Sequence, residues 1–138
     1  MKPMRVAFGS DEETPLTDGI VAHLTERGHD VEVVALGDPW PDAGRHVGEA
    51  VSSGRCDRGV VCCWTGTGVS IAANKVPGVR AALCTDAETA AGARRWNDAN
   101  VLALGLRLTS SVIASEILDA FFTTEVEPSE LATIAGVR

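Results

Sequence analysis

The chain has 138 residues, 45% of them hydrophobic, and this size and apolar content predict one compact domain over residues 1–138. A formal charge of −7 and a pI near 4.8 argue against nucleic acid or an anionic membrane as the main partner, because both would be repelled. No apolar stretch approaches the ~18 to 20 residues that span a bilayer, and the N-terminal sequence lacks a signal peptide's apolar core, so we expect a cytoplasmic protein.

Five short runs of apolar and β-branched residues predict the strands of a parallel sheet, because turn residues and a segment of helical periodicity follow each run. The predicted strands are residues 4–8, 31–36, 59–63, 79–84 and 101–104. Their apolar residues are continuous rather than alternating, as expected for strands that helices cover on both faces.

Helices are predicted from caps and from apolar stripes. The first begins at Thr14, followed by a proline at the first helical position, and ends at Gly28. A second follows the fourth strand, begins at a capping box that runs from Thr85 to Glu88, and reaches about residue 96. A third has the apolar stripe Ile113, Ile117, Leu118 and Phe121. The segment GDPWPDAG, residues 37–44, is interpreted as the most Pro/Gly-rich break in the chain.

The cysteines and histidines lack the spacing of a metal site. The four cysteines form no C-x-x-C pair, so we predict free thiols rather than a zinc site or a disulfide framework; they are Cys56, Cys62, Cys63 and Cys84. The three histidines are expected at the surface; they are His23, His29 and His46. We therefore predict no bound metal.

Ligands of such sheets bind beyond the carboxyl ends of the strands. By this rule we expect three loops to meet there, formed by residues 9–12, 64–68 and 94–100. The middle loop contains Thr-Gly-Thr-Gly between a strand and a helix, so several backbone N–H groups would face a phosphate, a carboxylate or an enediolate oxygen. A tight turn that merely needs glycine explains the same residues, and the third glycine of a dinucleotide-binding fingerprint is missing.

The adjacent cysteines at the end of the third predicted strand must point to opposite faces, because side chains alternate along a strand. At most one of Cys62 and Cys63 can therefore line a pocket. Each is interpreted first as a small buried apolar residue. A cysteine at a strand end beside a helix N-terminus can also have a lowered pKa and act as a base or nucleophile. The spacing leaves both interpretations open.

Two longer segments resemble a known family. GTGVSIAANKVPGVRAALC, residues 66–84, and NDANVLALGLR, residues 97–107, closely resemble the ribose-5-phosphate isomerase type B and galactose-6-phosphate isomerase family. The resemblance extends from the first strand to about residue 122. It implies a doubly wound α/β/α sandwich, Rossmann-like, on a five-stranded parallel sheet. It also implies a homodimer or homotetramer whose active sites are shared between subunits, with no cofactor.

The resemblance implies interconversion of aldose and ketose sugar phosphates through a cis-enediol. This chemistry needs a base for a proton on carbon and donors for the developing oxyanion. By position, Cys63 matches the catalytic base and Thr65 belongs with it in the catalytic loop, whereas Cys62 is expected in the core. The predicted substrate-binding residues are Asp11, Glu12, Trp64, Gly66, Thr67, Gly68, Trp96, Asn97 and Arg107.

Three positions depart from the family pattern, and all concern substrate handling. Glu12 replaces a substrate-binding histidine, and Trp96 replaces the histidine that opens the sugar ring. Indole carries no proton that titrates near neutral pH. Glu130 and Ile134 occupy the positions of two phosphate-binding arginines. These departures predict a short, open-chain or differently phosphorylated sugar, with a cation supplied by another subunit or by Arg45 or Arg138.

One alternative stays open at this point, and a second is discounted. The chain could be a non-catalytic or partner subunit of a hetero-oligomeric sugar-phosphate isomerase, or a module that binds a sugar or phosphate, because the ring-opening and phosphate-binding groups are replaced. A nucleotide-binding domain rests only on the Thr-Gly-Thr-Gly turn and on a downstream acid such as Asp86, which a helix cap also explains.

Overall fold

The computed structural model describes residues 2–138 and has five parallel strands in the order β2-β1-β3-β5-β4. The elements are β1 (Arg5–Ser10), α1 (Pro15–Glu26), β2 (Asp30–Leu36), α2 (Trp40–Ser52), β3 (Arg58–Cys63), α3 (Thr67–Asn74), β4 (Ala81–Leu83), α4 (Ala87–Asn97), β5 (Val101–Gly105), α5 (Ser111–Thr123), a 3-10 turn (Pro128–Glu130) and α6 (Leu131–Ile134). This confirms the doubly wound α/β/α sandwich. The strand order reverses between β1 and β3, which is where such sheets open a crevice.

Two apolar cores lie on the two faces of the sheet. One contains side chains of α1, α4 and α5, and the other contains side chains of α2 and α3. Strand β3 is buried along its whole length and supplies both cores in turn: Val60 and Cys62 face the first, and Val61 and Cys63 face the second. The predicted opposition of the two thiols is confirmed.

The segment 37–44 was wrongly predicted as a break, because helix α2 begins inside it at Trp40. A proline stands in its first turn, where the missing N–H costs nothing. Gly44 allows close helix packing instead of a turn: a Cβ there would lie 2.6 Å from the Cβ of Ala72 and 2.8 Å from the carbonyl oxygen of Val69 on α3. Glycine and proline in this stretch therefore start and pack a helix.

The cap of α1 is confirmed and the cap of α4 is shifted by one residue. Thr14 and Thr17 exchange side-chain to backbone hydrogen bonds of 3.2 and 2.8 Å at the start of α1. The N-cap of α4 is Asp86 rather than Thr85, because the Asp86 carboxylate accepts the N–H of Thr89 at 2.7 Å. The carboxylate competes better than the hydroxyl for that N–H group.

The expectation of surface histidines is wrong for His29, which is buried. Its Nδ1 accepts the N–H of Met4 at 3.1 Å, and its ring packs against Phe122 with centroids 4.9 Å apart. Burial, and then the charge of Arg58, lower the pKa of His29. His23 and His46 are partly exposed, and His23 contacts Asp119 at 2.8 Å.

Within residues 2–138, no helix is both long and apolar enough to cross a bilayer.

Candidate active site

Two of the three predicted loops meet at the carboxyl edge of the sheet, on either side of the β1–β3 switch point. The N–H of Asp11, just after β1, donates to the carbonyl oxygen of Cys62 at 3.3 Å. The hydroxyl of Ser10 donates to the carbonyl oxygen of Glu12 at 2.6 Å and shapes the turn. The loop after β1 is thereby fixed beside the end of β3.

Cys63 is the last residue of β3 and has 5% of its surface exposed. The carbonyl oxygens of Cys63 and Trp64 accept the N–H groups of Leu106 and Arg107 at 2.9 and 2.8 Å, so the end of β5 holds this segment. The backbone of Arg107 is therefore held next to Trp64, and the predicted substrate-binding role of its side chain stays a prediction. Cys62 lies in the opposite core, where burial, with smaller contributions from Cys63 and Asp11, raises its thiol pKa well above the ordinary range.

The turn after Cys63 requires glycine. Gly66 has φ of 79°, and a Cβ there would lie 2.9 Å from the carbonyl carbon of Leu104 and 3.0 Å from the nitrogen of Gly105. A Cβ on Gly105 would in turn lie 2.7 Å from the carbonyl oxygen of Thr65. The close packing of this turn on β5 starts α3 immediately beyond the thiol, so the tight-turn explanation holds at Gly66, and the anion-binding explanation stays a prediction.

Donors cluster at the start of α3. The first α-helical bond of this segment runs from the N–H of Ser70 to the carbonyl oxygen of Gly66, so the preceding N–H groups have no acceptor within the helix. Thr65 and Thr67 are exposed, and their hydroxyl oxygens lie 2.9 Å apart. N–H groups at a helix N-terminus together with two hydroxyls form a site that can stabilise an oxyanion.

Asp11 carries an unsatisfied buried oxygen. Its Oδ1 has no hydrogen-bond partner among residues 2–138. Burial, and then the neighbouring charge of Glu12, raise the pKa of Asp11. This oxygen is therefore free to accept a hydrogen bond from a ligand hydroxyl.

Two exposed indoles stand at this edge, and sequence reasoning assigned only one of them to the site. Trp64 is predicted, and a cleft of about 380 Å³ beside it is bordered by residues of the α1 and α5 N-termini. Trp40 was missed: a Cβ on Gly68 would lie 2.9 Å from its ring, so the indole covers the start of α3. The available signal was the Trp40-Pro41 pair, which resembles an aromatic-proline pair of the family.

The third predicted loop lies at the other edge of the sheet, so its expected place beside the first two is wrong. Helix α4 runs from the carboxyl edge to the amino edge and ends at Asn97. Asn100 donates its N–H to the carbonyl oxygen of Arg80 and accepts the N–H of Gly59, both at 2.9 Å, where β4 and β3 begin. The carboxyl-edge rule holds for loops that follow strands, and this loop precedes one. Trp96 and Asn97 therefore lie far from Cys63 of the same chain.

The C-terminal segment shares the amino edge with Asn97. The N–H of Glu127 donates to the carbonyl oxygen of Arg95 at 2.8 Å, and α6 borders a cleft of about 750 Å³ with residues 74–80 and Asp98. Ile134 and Arg138 line this cleft. Arg45 lies elsewhere, on α2, where Asp42 and Glu49 hold its guanidinium at 3.0 and 3.2 Å.

No group of three His, Cys, Asp or Glu side chains suited to a metal ion occurs among the residues described. All four cysteines are free and buried. The chemistry available at the carboxyl edge is therefore that of a thiol, a carboxyl group, hydroxyls and backbone N–H groups.

The chain matches known proteins over nearly its whole length. Residues 6–135 match the family model described as Ribose/Galactose Isomerase. Ribose-5-phosphate isomerase B of Escherichia coli is 41% identical over 130 residues, which cover 89% of this chain and 86% of that protein. The D-erythrulose-4-phosphate isomerase of Pectobacterium atrosepticum is 36% identical over 131 residues, covering 90% of this chain and 86% of that protein.

A solved structure agrees with the fold. Ribose-5-phosphate isomerase B of Clostridium thermocellum superposes with a TM-score of 0.89 at 41% identity, covering 96% of this chain and 93% of the other. The matched region includes the β3 thiol, the glycine turn and the start of α3, and it confirms the resemblance seen in residues 66–84 and 97–107. A chain with this sandwich and this strand-to-helix turn belongs to the ribose/galactose isomerase family of aldose–ketose isomerases.

Proposed function

We propose that this protein interconverts the aldose and ketose forms of a short, open-chain sugar phosphate through a cis-enediol, with Cys63 as the base. The observation that carries the proposal is the junction of β3 and α3. It puts a thiol at a strand end directly before exposed hydroxyls and free N–H groups. Proton abstraction beside a carbonyl needs this combination of a base and oxyanion donors.

In the proposed reaction, the Cys63 thiolate removes the proton from the carbon next to the carbonyl and returns it to the neighbouring carbon. The enediolate oxygen accepts N–H groups of the first turn of α3 and the hydroxyl of Thr65. A second proton must move between the two substrate oxygens. Asp11 suits this step, because its Oδ1 has no protein partner among the residues described and is free to bond a substrate hydroxyl, and because burial shifts the pKa of its carboxyl group upward, toward the range of a general acid.

The proposed substrate class follows from Trp96. Indole cannot donate a proton to a ring oxygen, so a sugar that is already open-chain suits this site better than a ring form. Four-carbon sugar phosphates with the phosphate on the terminal carbon are too short to close the usual ring. The relative from Pectobacterium atrosepticum is named for a four-carbon substrate and is 36% identical to this chain.

We further propose that two copies share each site, in a homodimer or homotetramer. Cys63 and Asn97 lie at opposite edges of one sheet, so a site that contains both residues requires a second chain. The glycine turn and Asp11 would come from one copy, and the end of α4 with the C-terminal segment from the other. The second copy would then also supply the cationic groups that face the phosphate.

The test is deuterium exchange from heavy water into aldoses and ketoses of four to six carbons, with and without terminal phosphate, followed by proton NMR. Exchange by the wild-type protein should be fastest with a four-carbon sugar phosphate and should fall at least ~100-fold in Cys63→Ala. Cys62→Ala is the matched control, because it removes an equal thiol one residue away on the other face and should keep the exchange. Equal exchange by the two variants would overturn the role of Cys63.

The alternative is a non-catalytic partner subunit, and the acidic or apolar residues Glu12, Trp96 and Glu130 favour it. It predicts no exchange into any sugar of the panel by the folded wild-type protein. In that case the proposed activity is wrong, and a second chain that carries the missing histidine and arginine residues becomes the expected catalyst.

A further inference from the structure

A cleft of about 410 Å³ opens at the amino edge of the sheet, beyond the first residues of β1 and β3 and away from Cys63. Four cationic and three acidic side chains line it: Lys2, Arg58, Arg80, Arg94, Asp57, Asp98 and Glu125. In a chain with a formal charge of −7, a cleft with more cations than acids is a local reversal of charge.

Arg58 is the unusual member of the cleft. Only 7% of its surface is exposed, and its Nη1 donates to the carbonyl oxygen of Phe121 at 2.6 Å. Its guanidinium lies over the rings of Phe121 and Phe122, 5.6 and 5.9 Å from their centroids. Within residues 2–138 no carboxylate lies within ion-pair distance of it. A buried cation thus faces the cleft with donors left over.

The carboxylate of Asp98 is already engaged by the two other arginines of the cleft. Arg94 is 4% exposed and donates to Asp98 at 2.9 Å and to the carbonyl oxygens of Ala99 and Thr124 at 2.6 and 3.2 Å. The same Asp98 also pairs with Arg80 at 3.2 Å. The carboxylate of Asp98 therefore pairs with both Arg80 and Arg94, and Arg58 has no carboxylate within ion-pair distance among the residues described.

The burial of Arg58 without an ion-pair partner in residues 2–138 lowers the pKa of its guanidinium group. Burial, and then the charge of Arg94, lower it to about 10, so the group remains charged near neutral pH. A buried charge is retained when a counter-charge or strong hydrogen bonds offset its desolvation. Here the direct contacts of Arg58 are one carbonyl oxygen and two aromatic rings, and the carboxylates of Glu125, Asp98 and Asp57 act on its charge only from beyond ion-pair distance.

We propose that the amino-edge cleft binds a small oxyanion of the phosphate type, held by the free N–H groups of Arg58 and Arg94. One guanidinium pairs with a phosphate group through two parallel N–H···O bonds, and a tetrahedral oxyanion has enough oxygen atoms to accept from two guanidinium groups at once. The proposal does not depend on the chemistry of Cys63, because its evidence is the cleft alone. Two sources of the anion share this chemistry: free inorganic phosphate, or the phosphate end of a sugar phosphate.

The test is calorimetric titration of the protein with inorganic phosphate at constant ionic strength, with sodium chloride as the replaced salt. The wild-type protein should bind one phosphate per chain with saturation, and its unfolding temperature should rise with phosphate concentration. Arg58→Gln should weaken binding at least tenfold. Arg55→Gln is the matched control, because Arg55 is exposed, pairs with Glu32 and lies outside the cleft. Unsaturable heat, or equal affinity of the two variants, would overturn the proposal.

A second variant keeps the test decisive if Arg58→Gln does not fold. Glu125 is exposed at the rim of the cleft, and its charge is among those that raise the pKa of Arg58. Glu125→Gln removes repulsion of an anion and should strengthen phosphate binding about twofold to threefold. An unchanged or weaker affinity in Glu125→Gln would contradict an anion site here.

The source of the anion is resolved by kinetics on the active enzyme. If the substrate's phosphate enters the cleft, inorganic phosphate should inhibit competitively and Arg58→Gln should raise KM with little change in kcat. If the ligand is free phosphate, inhibition should not be competitive and KM should stay as in the wild type. Both outcomes support an oxyanion site, and the calorimetry stands apart from turnover, so a failure of the proposed isomerase activity would leave this inference intact.

Discussion

The glycine turn after β3 allows a quantitative test of why glycine is needed there. Gly66→Ala forces a Cβ into the left-handed region and to within 3.0 Å of backbone atoms of Leu104 and Gly105. Gly54→Ala is the matched control: its φ is 81°, as positive as that of Gly66, and nothing lies within 4 Å of the new Cβ. The two substitutions therefore share the conformational cost and differ in the collisions that only Gly66→Ala makes, with the Leu83 side chain of β4 and with the backbone of β5.

The conformational cost of a non-glycine residue at positive φ is about 1 kcal/mol, and we expect Gly54→Ala to lose about that much stability. A collision with backbone in a packed site adds about 1 to 3 kcal/mol, so Gly66→Ala should lose about 2 to 4 kcal/mol. For a chain of this length each kcal/mol corresponds to about 3 °C in Tm. The expected losses are therefore about 3 °C and about 6 to 12 °C.

The measurement is urea unfolding followed by circular dichroism, at one protein concentration so that any association contributes equally. The free energies of unfolding in water of the wild type and the two variants are compared, provided that their m values are equal. Gly66→Ala should also lose deuterium exchange, because a displaced turn moves the first N–H groups of α3. Equal stability losses in the two variants would refute the argument that close approach to β5 demands glycine at position 66.

Two further predictions concern the shared site and the buried histidine. Equal random mixing of unfolded Cys63→Ala and Asn97→Ala chains, followed by refolding, should restore about a quarter of the wild-type active sites, because half of the dimers are mixed and each has one intact site; activity in neither the parents nor the mixture would contradict shared sites. The free energy of unfolding should fall by up to about 1 kcal/mol between pH 7.5 and 5.5, because burial lowers the pKa of His29 and the unfolded chain takes up the proton near pH 6.5. In His29→Asn, whose amide oxygen can still accept the N–H of Met4, that pH dependence should disappear, and an unchanged slope would assign it to other groups.

The strands and the glycine turn were predictable because their signals are local. Continuous apolar residues place β3 to within one residue, and alternation alone separates Cys62 from Cys63. The start of α2 could not be predicted in this way, because the Pro and Gly residues that indicate a loop also begin a helix and let it approach α3 closely. The local sequence pattern does not distinguish a glycine in a loop from a glycine at a helix contact. The distinction depends on α3, which packs against this segment.

The predicted site residues at the amino edge of the sheet show a different limit of sequence-based prediction. Motif matching predicts Asn97 as a substrate-binding residue, but the chain direction of α4 carries it away from Cys63 of the same chain. Which loops meet depends on whether each follows or precedes its strand. The arginines of the amino-edge cleft gave no signal either, because Arg58, Arg80 and Arg94 come from three separate elements and no spacing links them.

The repeated residues of β3 do not determine which of its two cysteines faces which core. Its sequence, Arg-Gly-Val-Val-Cys-Cys, presents the same valine and cysteine to both cores, so displacing the strand by one residue would exchange the two thiols with almost no change in buried apolar surface. Two glycine positions near the ends of the strand oppose such a displacement. At Gly59 any residue with a Cβ would collide with Val47, and the turn at Gly66 packs closely on β5. Which of the two sulfur atoms lies on the face of the proposed site therefore depends on glycines and not on the cysteines themselves.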